Sequence, residues 1–87
     1  MPKYFLVRTL GEVSEEEMEA ADKRSIEVLE QMLDVRWIRS YYSSEEGKLY
    51  CEYEAPSIEL LYEYSRRLGQ PIDHVTVVRD LEPSMFW

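Results

Sequence analysis

The chain has 87 residues, 45% of them hydrophobic and 32% charged, which is one globular domain, 1–87, and not a disordered segment. Its net charge of −8 argues against nucleic acid and against an anionic membrane surface as partners, because both require a clustered positive field. The single cysteine, Cys51, rules out an intrachain disulfide, the opening MPKYFLVRTLGE is too short in apolar residues for a signal peptide, and no stretch could span a bilayer, so a cytoplasmic setting is expected.

Lys3 to Leu10 is rich in β-formers and ends at Gly11, which predicts a strand. Ser14-Glu15-Glu16-Glu17 is a capping box: Ser14 can accept from the Glu17 backbone while Glu17 reaches back to Ser14. Met18, Ala21, Ser25, Val28, Leu29 and Met32 then recur at helical spacing on one face. Val35 to Ser43 and Lys48 to Glu54 read as two strands joined by Ser44-Glu45-Glu46-Gly47, with Gly47 in the left-handed position that closes the loop. That loop predicts a register in which Ser43 faces Lys48, Tyr42 faces Leu49, Ser40 faces Cys51 and Ile38 faces Tyr53. Pro56-Ser57 starts a second helix with Ile58, Leu61, Ser65 and Leu68 on one face, and Gly69 ends it. Asp73 to Leu81 is the last predicted strand, followed by the breaker Glu82-Pro83-Ser84 and the apolar piece Met85-Phe86-Trp87.

The order βαββαβ is the split βαβ of the ferredoxin-like α+β class: a four-stranded antiparallel sheet with two helices on one face. Two helices cover only one face of such a sheet. The hairpin register puts Trp37, Arg39, Tyr41, Tyr50 and Glu52 on the other, together with alternate residues of the first and last strands. That apolar surface predicts a homodimer formed face to face about a two-fold axis, the dimeric α+β barrel arrangement. Phe86 and Trp87 pack either on the neighbour or back over their own subunit.

Arg39 opposite Glu52, among aromatic rings, is the most suggestive pair. The guanidinium can hold a carboxylate or an enolate-like oxygen, and Glu52 can serve as a base. A register-fixing cross-strand salt bridge explains the same residues. Arg8 offers a second anion donor, or a solvated strand-end charge. His74 is read as a base or ligand, against a plain surface role. Cys51 lies on the helix-facing side, where core packing outweighs catalysis. Dinucleotide, P-loop, zinc-protease, redox CxxC and hydrolase-elbow motifs are absent from the sequence.

MPKYFLVRTL, VRWIRSYYSSEEGKLYCEYEAPS and GQPIDHVTVVRDLEP together resemble a family of small uncharacterised bacterial proteins, some named nickel-binding. The resemblance implies a ferredoxin-like fold and a dimer. Relatives often carry His where this chain has Asp22, Arg39 and Tyr64. Nickel favours imidazole, and one His with one Cys makes a poor ligand set, so no residue is assigned to a metal. The wider group of dimeric α+β barrels includes cofactor-free monooxygenases and isomerases, a likeness of fold alone. The expected function is therefore small-molecule or ion binding by Trp37, Arg39, Tyr41, Tyr50 and Glu52, with catalytic residues and cofactor unassigned. The alternatives are a cofactor-independent enzyme, with Arg39 holding an oxyanion and Glu52 or His74 moving a proton, and a structural dimer.

Overall fold

Strict alternation in the first strand decides the layering. In β1 (Lys3–Thr9), Tyr4, Leu6 and Arg8 are buried, while Lys3, Phe5 and Val7 are only half-buried. The computed structural model describes residues 1–87. After β1 come α1 (Glu15–Leu29), β2 (Arg36–Ser43), β3 (Lys48–Glu54), α2 (Ile58–Leu68) and β4 (His74–Val78), then a 3-10 turn at Pro83–Phe86. The sheet is antiparallel throughout with strand order β2-β3-β1-β4, the ferredoxin-like arrangement.

Local chemistry accounts for the element ends. The capping box forms as expected: Glu17 N–H donates to Ser14 Oγ (3.1 Å) and Ser14 N–H donates to Glu17 (3.0 Å). The Ser14 N–H first, and the Ser14 hydroxyl second, hold the Glu17 carboxyl below its ordinary range. Gly69 ends α2 in the left-handed region at φ 75, and its N–H donates back to Ser65 O. Gly47 closes the β2–β3 loop at φ 65 and is held tightly: a Cβ there would meet Gly11 Cα at 3.0 Å. Its carbonyl accepts from Leu10 and Gly11, which pins the hairpin tip to the end of β1.

The core lies between the helices and one sheet face. Leu61, Tyr64 and Leu68 of α2 and Met32 and Val35 after α1 pack on Tyr4, Leu6, Cys51 and Tyr53. Removing each large apolar side chain from water contributes about 1.5–3 kcal/mol. No helix is long and apolar enough to cross a membrane.

Two expectations are corrected, and one open alternative is decided. The hairpin pairs as predicted from Ser43↔Lys48 to Ser40↔Cys51, but a bulge between Trp37 and Arg39 makes Trp37, not Ile38, the partner of Tyr53. One extra residue flips everything beyond it to the other face. Trp37 therefore packs against the core and donates from Nε1 to Ser40 Oγ (2.9 Å). The last strand ends at Val78, short of the predicted Leu81, because its partner β1 begins at Lys3, opposite Val78. Finally, Phe86 and Trp87 do not fold back over their own subunit: Trp87 is 95% exposed.

Candidate functional site

The registers align the open face into rows that cross all four strands. Arg36, Glu54, Lys3 and Val78 form one row; Arg39, Glu52, Phe5 and Thr76 the next; Tyr41, Tyr50, Val7 and His74 the third. Side chains two apart along a strand share a face, so these rows are neighbours on one surface. Phe5 and Tyr50 stack at 6.0 Å between ring centroids, and the Tyr50 hydroxyl is hydrogen-bonded to Glu46. That bond raises the Tyr50 hydroxyl above its ordinary range.

Glu52 is the hub. Its side chain is 18% exposed, and its two oxygens take different cations: Lys3 Nζ at 3.1 Å and Arg39 Nε at 3.3 Å. The Tyr41 hydroxyl lies 3.5 Å from the Arg39-side oxygen. Lys3 also reaches Asp80 at 2.7 Å, which ties the segment after β4 to β1. Hydrogen bonds to Asp80 first and Glu52 second hold the Lys3 ammonium above its ordinary range. A concavity of ≈ 370 Å³ is lined by Arg39 and Tyr41 of β2, by Glu52, Lys3 and Phe5 of the central strands and, on the far side, by Val78 and residues 79–82 that follow β4.

Of the sequence-predicted site residues, Arg39, Tyr41 and Glu52 thus converge on one concavity. Tyr50 shares their face, directly opposite Tyr41 and stacked on Phe5, but does not line the concavity. Trp37 does not join them, for the bulge turns it to the covered side. His74 lies on the open face but outside the concavity, opposite Val7. Sequence reasoning missed Lys3 and Asp80. The signal available was the alternation Lys3-Phe5-Val7 and the Arg79-Asp80 pair just past the last β-branched run. Neither locates a partner without the β1–β3 register.

Arg8 is a further correction. It is neither a second anion donor on the open face nor a solvated charge: it is 2% exposed, on the helix side. Its guanidinium donates to Gln70 O (2.7 Å), Pro71 O (3.3 Å) and Ser65 Oγ (2.7 Å), with the Tyr64 ring 6.0 Å from its centre. These oxygens sit at the C-terminal end of α2, where the helix dipole favours a cation. Tyr64 Oη meets Tyr53 Oη at 3.1 Å, and burial pushes the Tyr53 hydroxyl far up.

No three of His, Cys, Asp and Glu come together to hold an ion. Cys51 is fully buried against the helices with its thiol pushed up by burial, whereas His74 stands on the opposite face of the sheet. Asp22 is half-buried on α1, and desolvation raises its carboxyl. Arg39 lies on the open face and Tyr64 in the core, so these three positions do not converge on one site either. These residues do not fit a nickel centre.

The model of the family described as nickel responsive protein SCO4226-like matches residues 4–78. The solved structure of SCO4226 from Streptomyces coelicolor A3(2) is similar at 20% identity, with a TM-score of 0.79, covering 92% of this chain and 99% of that one. That likeness shows the fold. No curated protein matches the sequence.

Proposed function

The chain belongs to the nickel-responsive SCO4226-like family, and we propose that within it this protein binds a small polar ligand in the concavity on its open sheet face. The observation that carries the reading is the Glu52 hub. A half-sunken carboxylate with a cation near each oxygen sits 3.3 Å from Arg39 Nε, while 63% of the Arg39 side chain stays exposed. Such a group is positioned for recognition and is not consumed by the fold. Phe5 and Tyr41 give apolar area beside it, and ≈ 370 Å³ falls at the small end of the ~300–1,000 Å³ range of ligand clefts. The donor set argues for an organic ligand over a directly ligated nickel ion.

A second reading concerns what covers the rest of the face, and charge favours another copy of the chain. Residues 12–34 carry nine acids (Glu12, Glu15, Glu16, Glu17, Glu19, Asp22, Glu27, Glu30, Asp34) against Lys23 and Arg24. The open sheet face carries Lys3, Arg36, Arg39 and Lys48 against Glu52 and Glu54. Two copies meeting through their helices bring two strongly acidic surfaces together, whereas two sheet faces, with four cations against two acids each, meet with a far smaller like-charge excess. A proton-moving enzyme finds less support: both Glu52 oxygens are engaged by cations, and His74 sits outside the concavity.

Native mass spectrometry of the full chain, with elemental analysis of the same sample, tests both readings. The expected species is a dimer carrying a small organic adduct, which Arg39→Met loses while remaining dimeric. A stoichiometric metal that survives both Arg39→Met and Glu52→Gln overturns the site, and a monomer overturns the second copy.

A further inference from the structure

We propose that the ligand is a small zwitterion of the amino-acid type, a deepening that rests on the reading above. The two walls of the concavity carry opposite offers. Arg39 spends its Nε edge on Glu52, and its terminal nitrogens have no acceptor in the chain. A guanidinium held along one edge presents the other as a fork of N–H donors, the shape that fits a second carboxylate. On the facing side, Asp80 gives one oxygen to Lys3 and is 54% exposed, and Glu82, the N-cap of the 3-10 turn, lines the same concavity. Those carboxylates face an incoming ammonium. Phe5 on β1 and Tyr41, two residues along β2 from Arg39, flank this line of charges and offer apolar area to a side chain.

The charge balance selects the same class. Lys3, Arg39 and Arg79 stand against Glu52, Asp80 and Glu82, so the site sums to zero within a chain of net −8. A carboxylate alone approaches against the field of the whole molecule. An amine alone is drawn as strongly to the acidic stretch of residues 12–34 and leaves the Arg39 fork empty. A zwitterion adds no net charge and uses both walls.

The test titrates the full chain by calorimetry with L-phenylalanine, 3-phenylpropionate and phenethylamine, which share a ring and differ in charge. L-Phenylalanine should bind at least tenfold more tightly than either single-charge analogue. Arg39→Met should abolish that binding. Asp80→Asn should narrow the gap between phenylalanine and phenylpropionate, by weakening phenylalanine without weakening phenylpropionate. Equal affinities for phenylalanine and phenylpropionate overturn the zwitterion while leaving the site intact. If none of the three binds, the zwitterion is wrong; an organic adduct that is lost with Arg39→Met then preserves the site, and no adduct removes the site as well.

Discussion

Two arginines, one on each face of the same sheet, have been given opposite environments. Arg8 is sealed under α2 without a carboxylate and is satisfied by two backbone carbonyls and a serine hydroxyl. Arg39 faces outward, is tied at one edge to a carboxylate and is free at the other. A buried cation can be held by oriented oxygens and a helix C-terminus instead of a counter-ion, at the cost of fixing every element that supplies them. Ser65, Gln70 and Pro71 are thereby locked to β1. The exposed cation makes the reverse trade. Its single ion pair contributes little to the fold, which leaves its remaining donors free for a ligand. The covered face specifies structure, and the open face can afford exchange.

The sharpest way to break this contrast is to remove Arg8. Arg8→Met keeps the bulk of the side chain and strands the carbonyls of Gln70 and Pro71 together with Ser65 Oγ. Urea unfolding should show a loss of about 2–4 kcal/mol, since each buried polar group left unsatisfied costs ~1–3 kcal/mol. A change below about 1 kcal/mol would mean that Arg8 is tolerated by the core and does not organise it. Tyr64→Phe comes next, at about 1–2 kcal/mol, because it leaves the Tyr53 hydroxyl buried without its partner. Adding Tyr53→Phe should recover part of that loss, since no orphan then remains; no recovery in the double variant would place the cost elsewhere in the packing.

Alkaline pH probes the same face without mutation. Burial raises both Cys51 and Tyr53 above their ordinary values of 9.0 and 10.0. The folded chain therefore keeps these protons longer than the unfolded chain does. Their contribution to stability is complete below about pH 9 and is lost as pH rises further, at up to ~1.4 kcal/mol per pH unit for each group. The urea midpoint should be level from pH 7 to 8 and fall above 9, and Tyr53→Phe should shrink the fall. A midpoint indifferent to pH up to 11 would show that neither group is shielded.

How much of this was legible follows the range of the signals. The capping box, the Gly47 loop and the Gly69 stop are set by residues within four positions of one another, and each formed as expected. The Arg39↔Glu52 pairing came from the same short-range logic, counted outward from the loop. The count failed between Arg39 and Trp37. A bulge is one unpaired residue with no required composition, and its consequence, Trp37 joining Ser40 and the core, depends on where the helices pack. Arg8 was illegible for a related reason. Alternation puts it in phase with Tyr4 and Leu6, but only the tertiary approach of the α2 end supplies oxygens that make a buried guanidinium tolerable. The Lys3–Asp80 wall joins residues at opposite ends of the chain, and nothing local connects them.

The smallest expected effect is also the most discriminating. A double-mutant cycle of Arg39→Ala and Glu52→Gln should give a coupling in stability of about 0.5 kcal/mol or less. Two features keep it low: the Arg39 side chain is 63% exposed, and Lys3, already 3.1 Å from Glu52, can take over the carboxylate when Arg39 is gone. The residual coupling should shrink further between low salt and ~1 M salt, where the screening length falls to ~3 Å. The Tyr53–Tyr64 cycle on the covered face should keep a larger coupling that salt does not change, since both hydroxyls are neutral and buried. If the Arg39–Glu52 coupling instead reached ~2 kcal/mol and resisted salt, the pair would be a structural element like Arg8. The free edge of Arg39 would then be a by-product of fixing the register, and the open face would lose its claim to be the binding face.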